Sequence, residues 1–296
     1  MSEIACPICG SQQSNLFLDG SEKTLDAASF GSSRQVISHG RILRCLLCGF
    51  GFRQLRSNPA ELAELYRRMD TAVYESELSG RVKTARLHLK IVHRYVEPGR
   101  ILDIGCASGA FLDLAQIAGW QVVGLEPSEM LCHKAQTLLQ GRGEVLCENL
   151  EQANLGKSCF DAVTLWDVLE HIPNPVTFLL KCEGLLKPGG HIFLNVPNLK
   201  SKEARLLRSR WPLLLAEHLN YFTPKSLQIC GEQANIQWIC FTQRPSYFSI
   251  DYVLYRLSQH GIPGVSLARR LASHRLGQLT VPIYLGEICA AGRCRR

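Results

Sequence analysis

An α/β fold is predicted by three observations. Short apolar runs alternate with amphipathic stretches from residue 100 onward, the first run ends in the glycine turn "LDIGCASGAF", and two Cys-x-x-Cys pairs lie near the start of the chain. Alternating strand and helix patterns argue for a sheet covered on both sides. The paired cysteines argue for a separate, metal-stapled unit. The expected architecture is a Rossmann-like sheet with helices on both faces plus a small N-terminal zinc-ribbon-like domain.

Taken in order, residues 1–56 form the predicted zinc-binding domain, with "CPIC" at 6–9 and "CLLC" at 45–48. Two residues between ligands let both sulfurs of a pair reach one ion, so Cys6, Cys9, Cys45 and Cys48 complete a tetrahedral thiolate set. Four protein ligands leave no open position, which assigns the zinc a structural role. Unligated thiols are the alternative, and they leave so small a unit without a staple. Residues 57–96 read as a helical bridge, with apolar residues at three- and four-residue spacing in "NPAELAELYRRM" and "RVKTARLHLKIVHRYV". Residues 97–296 hold the predicted strands "RILDIG", "QVVGLE", "EVLCEN", "FDAVTLWD" and "HIFLNVP", separated by "SEMLCHKAQTLL" and "PVTFLLKCEGLL". "IQWICFT" reads as a sixth strand, "YLGEICAAG" as the last, and "FSIDYVLYRLSQHG" and "SLARRLASH" as a helical insertion at about 250–280.

The composition bounds the functional class. With 46% hydrophobic and 20% charged residues the chain can bury a large core, and no run approaches the roughly 18 apolar residues of a membrane span. The start "MSEIACPICG" carries neither a basic segment nor an apolar one, so a cytoplasmic location is expected. Thirteen cysteines are then assigned to metal ligation and to ordinary burial, not to disulfides. The formal charge of +7 favours an acidic partner, with nucleic acid, a nucleotide-linked sugar and an anionic membrane surface as the classes left open.

The glycine turn carries the binding chemistry. Gly105 permits a turn closed to bulkier residues, Gly109 lets the next helix approach, and Glu126, 21 residues beyond Gly105, is placed to accept hydrogen bonds from ribose hydroxyls. A dinucleotide site would use similar geometry. Ala107, where a pyrophosphate site prefers glycine, and Asp103, an acid two residues before the first glycine, favour a cationic ligand over an anionic one.

In order and spacing, "ILDIGCASGAFL", "VVGLEPS", "FDAVTLWDVLEHIPNP" and "LLKPGGHIFLNVPN" resemble the class I S-adenosylmethionine-dependent methyltransferases over roughly residues 98–200. The resemblance implies that Asp103, Gly105 and Gly109 surround the methionine part of the cofactor and that Glu126 holds its ribose. It also implies that Glu148 and Asn149 lie near the adenine and that Asp167 and Leu169 border the methyl group. Cys106, Ala107 and Pro127, in the same turns, join the cofactor-binding set.

A second motif, "AEHLNYFTPKSL" at 216–227, places Glu217, His218 and Tyr221 just before a helix with Thr223 as N-cap and Pro224 at its first position. It resembles a narrower group of methyltransferases with an N-terminal zinc-binding domain, some of which C-methylate nucleotide-linked keto sugars. That likeness implies that Glu217, His218 and Tyr221 line the acceptor site, with His218 as general base. The expected function is methyl transfer to a small molecule, a sugar or glycan precursor, on carbon or oxygen. The alternative is an RNA methyltransferase that grips RNA through the zinc module, and the few basic residues of the first 56 argue against it. His171 reads as a polar cap over the cofactor, Trp166 and Trp211 as packing aromatics, and His39, His88, His93 and His133 receive no role.

Overall fold

The apolar runs become five adjacent parallel strands of a seven-stranded sheet. The computed structural model describes residues 4–20, 40–53, 64, 77–259 and 274–296. The remainder of the expected bridge 57–96, most of "SLARRLASH" and His39 lie outside them. Three strands open the chain: β1 (Ser14–Leu18), β2 (Ile42–Cys45) and β3 (Gly51–Arg53). Helix α1 (Leu78–Val92) leads to β4 (Arg100–Ile104), α2 (Ala110–Ile117), β5 (Gln121–Leu125), α3 (Glu129–Leu139) and β6 (Glu144–Leu146). Then come β7 (Phe160–Trp166), α4 (Pro175–Leu185), β8 (Leu186–Pro197), α5 (Lys202–Leu207), β9 (Asn220–Tyr221), α6 (Pro224–Gln233) and β10 (Ile236–Thr242). A ribbon of β11 (Ser246–Ser249) and β12 (Thr280–Ile283) flanks α7 (Ile250–Gln259) and α8 (His274–Gly277), and β13 (Glu287–Cys294) closes the chain.

The large sheet has the order β10-β13-β8-β7-β4-β5-β6, and β4 through β8 run parallel. Alternate residues feed two cores. Ile101, Val122, Ala162 and Phe193 pack with α1, α2 and α3, whereas Leu102, Val123, Val163 and Leu194 pack with α4 and α6. Burial on both faces is why these strands read as continuous apolar runs. The sheet is mixed, because β13 is antiparallel to both β8 and β10. It enters with Glu287 opposite Pro197 at the carboxyl end of β8, so it can only run back down.

Two further features depart from the sequence reading. Phe248 and Ser249, expected at the start of a helix, belong instead to β11, which pairs with β12. The cysteines are not all metal ligands or packed thiols, because Cys132 of α3 and Cys147 after β6 form a disulfide. Packing of α3 on β6 brings their Cα atoms to 5.5 Å, within bridging range. Among the described residues, no helix is long and apolar enough to cross a membrane.

The N-terminal strands do not form a detached module. β1, β2 and β3 make an antiparallel sheet whose fourth strand is β9, with Gly51 opposite Tyr221 and Phe52 opposite Asn220. Phe50, Phe52, Cys6 and Ile8 share a core with Phe222, Leu227 and Cys230 of the larger unit. The Phe50 and Phe222 rings meet edge-on at 5.1 Å.

Gly109 shows how tightly the first turn is set. Its φ is +82°, and a Cβ there would lie 3.0 Å from Ala135 Cβ and 3.1 Å from Ala135 Cα on α3. Gly109→Ala is expected to lower stability by about 2 kcal/mol through the left-handed backbone and the overlap with α3. Urea unfolding checks this, and an unchanged midpoint would show that α3 yields freely.

Candidate active site

The first wall of the site lies at the carboxyl ends of β4 and β5. Asp103, 2% exposed, accepts a 2.7 Å hydrogen bond from the Thr164 hydroxyl of the adjacent strand. Gly105 has φ +73°, and a side chain there would strike Val168 at 2.7 Å. Glu126 is fully buried. Its two carboxylate oxygens accept from the backbone N–H of Ala107 at 2.9 Å and of Ser128 at 2.8 Å. Each oxygen keeps a lone pair for a ligand hydroxyl. Ala107 takes the left-handed conformation with φ 50°, the shape glycine adopts most easily, and this is what aims its N–H at Glu126.

Burial pushes both carboxyls up to about 7. For Asp103 the Thr164 bond opposes the shift and the nearby Glu126 adds to it. For Glu126 the two backbone N–H groups oppose it. Ser108 and Ser128 hold buried hydroxyls with no hydrogen-bond partner. A buried hydroxyl without a partner is costly, so each of these two is free to bond a polar ligand or a water molecule. Neither serine was singled out from the sequence, although both lie inside the quoted motifs. The residues therefore fit the cofactor that the resemblance implies: two carboxyl groups for a cationic nucleoside and two buried hydroxyls without a protein partner. Cys106 is buried beneath the turn and Pro127 is half-buried beside Glu126. After β6, Glu148 is half-buried, and the Asn149 side chain accepts from the Gln152 N–H at 3.0 Å, shaping the loop beside the disulfide.

The second wall begins where β7 ends. Asp167 has φ 57° and accepts a 2.7 Å hydrogen bond from the Asn195 side-chain amide. It is exposed to solvent. A 3-10 turn, Leu169–His171, follows and buries Leu169 in the core. Trp166 stacks on His88 at 3.9 Å, and burial lowers the His88 imidazole to about 3, keeping it neutral. The inward face of α1 puts His88 there, which the helical pattern alone did not disclose.

The segment before α6 completes this wall. His171 donates its Nδ1–H to the Glu217 carbonyl at 3.0 Å, and His218 donates its Nδ1–H to the Leu213 carbonyl at 2.8 Å. A carbonyl can only accept, so in each ring Nε2 keeps the lone pair. The two rings lie 4.9 Å apart, and the His218 and Tyr221 rings 6.2 Å apart. Burial lowers both imidazoles, His171 to about 4, and raises the Glu217 carboxyl to about 7. The structure thus brings His218, Tyr221 and His171 together. It also adds Glu170, 1% exposed, whose Oε2 has no hydrogen-bond partner. Tyr221 holds an unpartnered buried hydroxyl as well. Trp211 packs 6.0 Å from Tyr221 and donates to the Leu285 carbonyl, behind the wall.

The four cysteines of the N-terminal unit also converge. Cys6 and Cys48 have sulfurs 3.6 Å apart, Cys9 and Cys45 3.5 Å apart, and all four sulfurs lie within 4.8 Å of one another. The knuckles are tied to the second wall. Thr223 donates its hydroxyl to the Cys48 carbonyl at 3.1 Å, Lys225 donates to the Leu47 carbonyl at 2.6 Å, and Gln233 donates to the Ile8 carbonyl at 2.9 Å. Thr223 N-caps α6 in a capping box with Ser226, and Pro224 stands at the first helical position, as the sequence predicts.

The carboxyls of the first wall set a pH dependence. Asp103 and Glu126 hold their protons more tightly in the folded, ligand-free protein than at their ordinary values of 3.8 and 4.5. The stability they contribute is complete below those values and is lost as pH rises through 7. For Glu126 the loss is on the order of 3 kcal/mol. Urea unfolding at pH 5 and pH 8 should show a larger drop for the wild type than for Glu126→Gln; equal drops would refute the assignment.

Comparison with known proteins gives the family. The model of the methyltransferase-domain family matches residues 74–240. A ubiquinone biosynthesis O-methyltransferase of Dechloromonas aromatica is 29% identical over 151 residues, covering 47% of this chain and 64% of its own length. One of Photobacterium profundum is 28% identical over 203 residues, covering 62% of this chain and 85% of its own length. The chain thus spans less than two thirds of the first of these relatives. A solved SAM-dependent methyltransferase of Thermotoga maritima, 17% identical, superposes with a TM-score of 0.52 over 79% of this chain and 100% of that one, a likeness of fold. By its family match, its strand order and its glycine turn, this chain belongs to the methyltransferase-domain family.

Proposed function

We propose that the chain is an S-adenosylmethionine-dependent methyltransferase acting on a hydroxyl of a small organic molecule, with a nucleotide-linked sugar or other glycan precursor as the leading class. The observation that carries the reading is the gathering of two sets of groups at the carboxyl ends of adjacent strands β4 and β7, where Gly105 abuts Val168. One holds Asp103, Glu126 and the unpartnered Ser108 and Ser128 hydroxyls; the other holds His171, His218 and Tyr221. The names of the relatives support oxygen as the methylated atom. The Glu217, His218 and Tyr221 motif supports the sugar.

Asp103, Gly105, Cys106, Ala107, Gly109, Glu126 and Pro127 hold the cofactor, with Glu148 and Asn149 toward the adenine and Asp167 and Leu169 toward the methyl group. When bound, S-adenosylmethionine supplies an electrophilic methyl group: a new C–O bond forms as the C–S bond breaks, and sulfur keeps that electron pair. The chain aligns the acceptor oxygen and excludes water. His218 takes the acceptor proton on Nε2, because its Nδ1–H is held by the Leu213 carbonyl. Tyr221 and Glu217 orient the acceptor.

The four-cysteine cluster holds a structural zinc ion in the domain spanning residues 1–56. Thiolates about 2.3 Å from a tetrahedral zinc stand about 3.8 Å apart, close to the spacings of the two tighter pairs. The bridge at 57–96 and the methyltransferase domain at 97–296, with its insertion at about 250–280, complete the organisation.

A screen with methyl-labelled cofactor against nucleotide-sugars, ring phenols and total RNA tests the reading. Label should enter a small molecule, and His218→Ala should lower kcat by about 10²- to 10⁴-fold while cofactor affinity stays within about threefold by calorimetry. Label in RNA alone would overturn the acceptor class. An unimpaired His218→Ala would overturn the base.

A further inference from the structure

Glu170 is the residue of this site that methyl transfer leaves unexplained. Its side chain is buried, Oε2 has no hydrogen-bond partner, and the acids Asp167, Glu217 and Glu287 lie close enough to disfavour its charge, although Arg81 acts on Asp167 and Arg53 and Arg256 act on Glu217. A carboxylate buried without a hydrogen-bond partner near other acids is unfavourable unless it keeps its proton or a cation joins it.

The surroundings supply the rest of a ligand set. One donor atom each from Glu170, His171 and His218 lie within 4.8 Å of one another. Both histidines donate Nδ1–H to a backbone carbonyl, the arrangement that fixes the tautomer and orients Nε2 in metal-ligating imidazoles. The ligands stand on two segments that are locked together. The Leu219 N–H donates to the Glu170 carbonyl at 2.9 Å, and the Asn220 side-chain amide donates to the carbonyls of Leu169 at 3.2 Å and Ile172 at 2.6 Å. The donors are therefore preorganised.

We propose that Glu170, His171 and His218 bind a divalent first-row metal ion at the acceptor end of the cleft. Two imidazoles and one carboxylate suit manganese, iron or zinc better than calcium, which prefers oxygen ligands alone. Three protein ligands leave coordination positions open, and solvent reaches the half-buried His171 and the exposed Asp167. An acceptor hydroxyl bound there becomes more acidic and releases its proton to water. This inference rests on the oxygen-acceptor reading above and changes one element of it: in the ion-loaded protein the His218 lone pair goes to the metal, and the ion replaces the imidazole in promoting ionisation of the acceptor.

The test is manganese binding to the full chain with zinc already loaded on the four cysteines, followed by calorimetry and by loss of the free-ion electron paramagnetic resonance signal. One Mn²⁺ per chain should bind in addition to the zinc. Glu170→Gln, which keeps the shape of the side chain, and His171→Ala should each weaken binding at least tenfold, with circular dichroism spectra like the wild type. Absence of any ion beyond the four-cysteine zinc, with Zn²⁺ tried after Mn²⁺, would overturn the proposal, as would unchanged affinity in both variants. Methyl transfer that is lost in His218→Ala while the wild type binds no ion beyond the four-cysteine zinc would leave the enzymatic reading intact while the metal site fell.

Discussion

The pairing of β3 with β9 is the constraint on which the segment carrying His218 and Tyr221 depends. Two residues of β9 are too few to form a strand alone, and they owe their conformation to Gly51 and Phe52 on one side. On the other side, Phe222 exchanges backbone hydrogen bonds with Pro197 and Leu199 at the end of β8. Leu219, between His218 and β9, takes part in the same clamp through the Arg53 N–H. The wall that carries His218 and Tyr221 is thus a strand of the N-terminal sheet as much as a part of the methyltransferase unit. The carbonyls of Leu47, Cys48 and Ile8 are received by Lys225, Thr223 and Gln233, so both cysteine knuckles are fastened to α6 as well. A metal held by the four cysteines would brace β9 and α6 as well as the knuckles themselves.

The two walls are built by different means. The cofactor wall comes from regular βα units, in which a few left-handed residues, Gly105, Ala107 and Gly109, turn the backbone sharply enough to present N–H groups to Glu126. The acceptor wall comes from irregular segments: the turn after β7 and the stretch between α5 and α6, where side chains are set by bonds to backbone carbonyls. Asp167 at φ 57° marks the join between them. Regular units suit a ligand that every member of a fold class must hold. Irregular insertions suit an acceptor that differs from one enzyme to the next.

This contrast decides what could be read in the sequence. The glycine turn and the succession of strands β4 to β8 were legible because a βαβ unit fixes their spacing along the chain. Thr223 and Pro224 were legible because a helix start has local chemistry. The direction of β13 was not, since an apolar run carries no sign of parallel or antiparallel pairing. The β9 strand escaped because two residues show no periodicity and its partner lies about 170 residues away in the chain. The Cys132 to Cys147 bridge escaped because only the packing of α3 on β6 brings the two together. Glu170 was quoted within "DVLEHI" and passed over, since nothing local reveals that its carboxylate is buried beside two imidazoles.

The measurement that bears most directly on the coupling of the two units is amide hydrogen exchange before and after a chelator strips the four-cysteine cluster. If the N-terminal sheet holds the acceptor wall, exchange at residues 219–223 should accelerate together with residues 42–53, while residues 121–126 of the cofactor wall keep their protection. Unchanged protection at 219–223 alongside faster exchange at 42–53 would contradict the account.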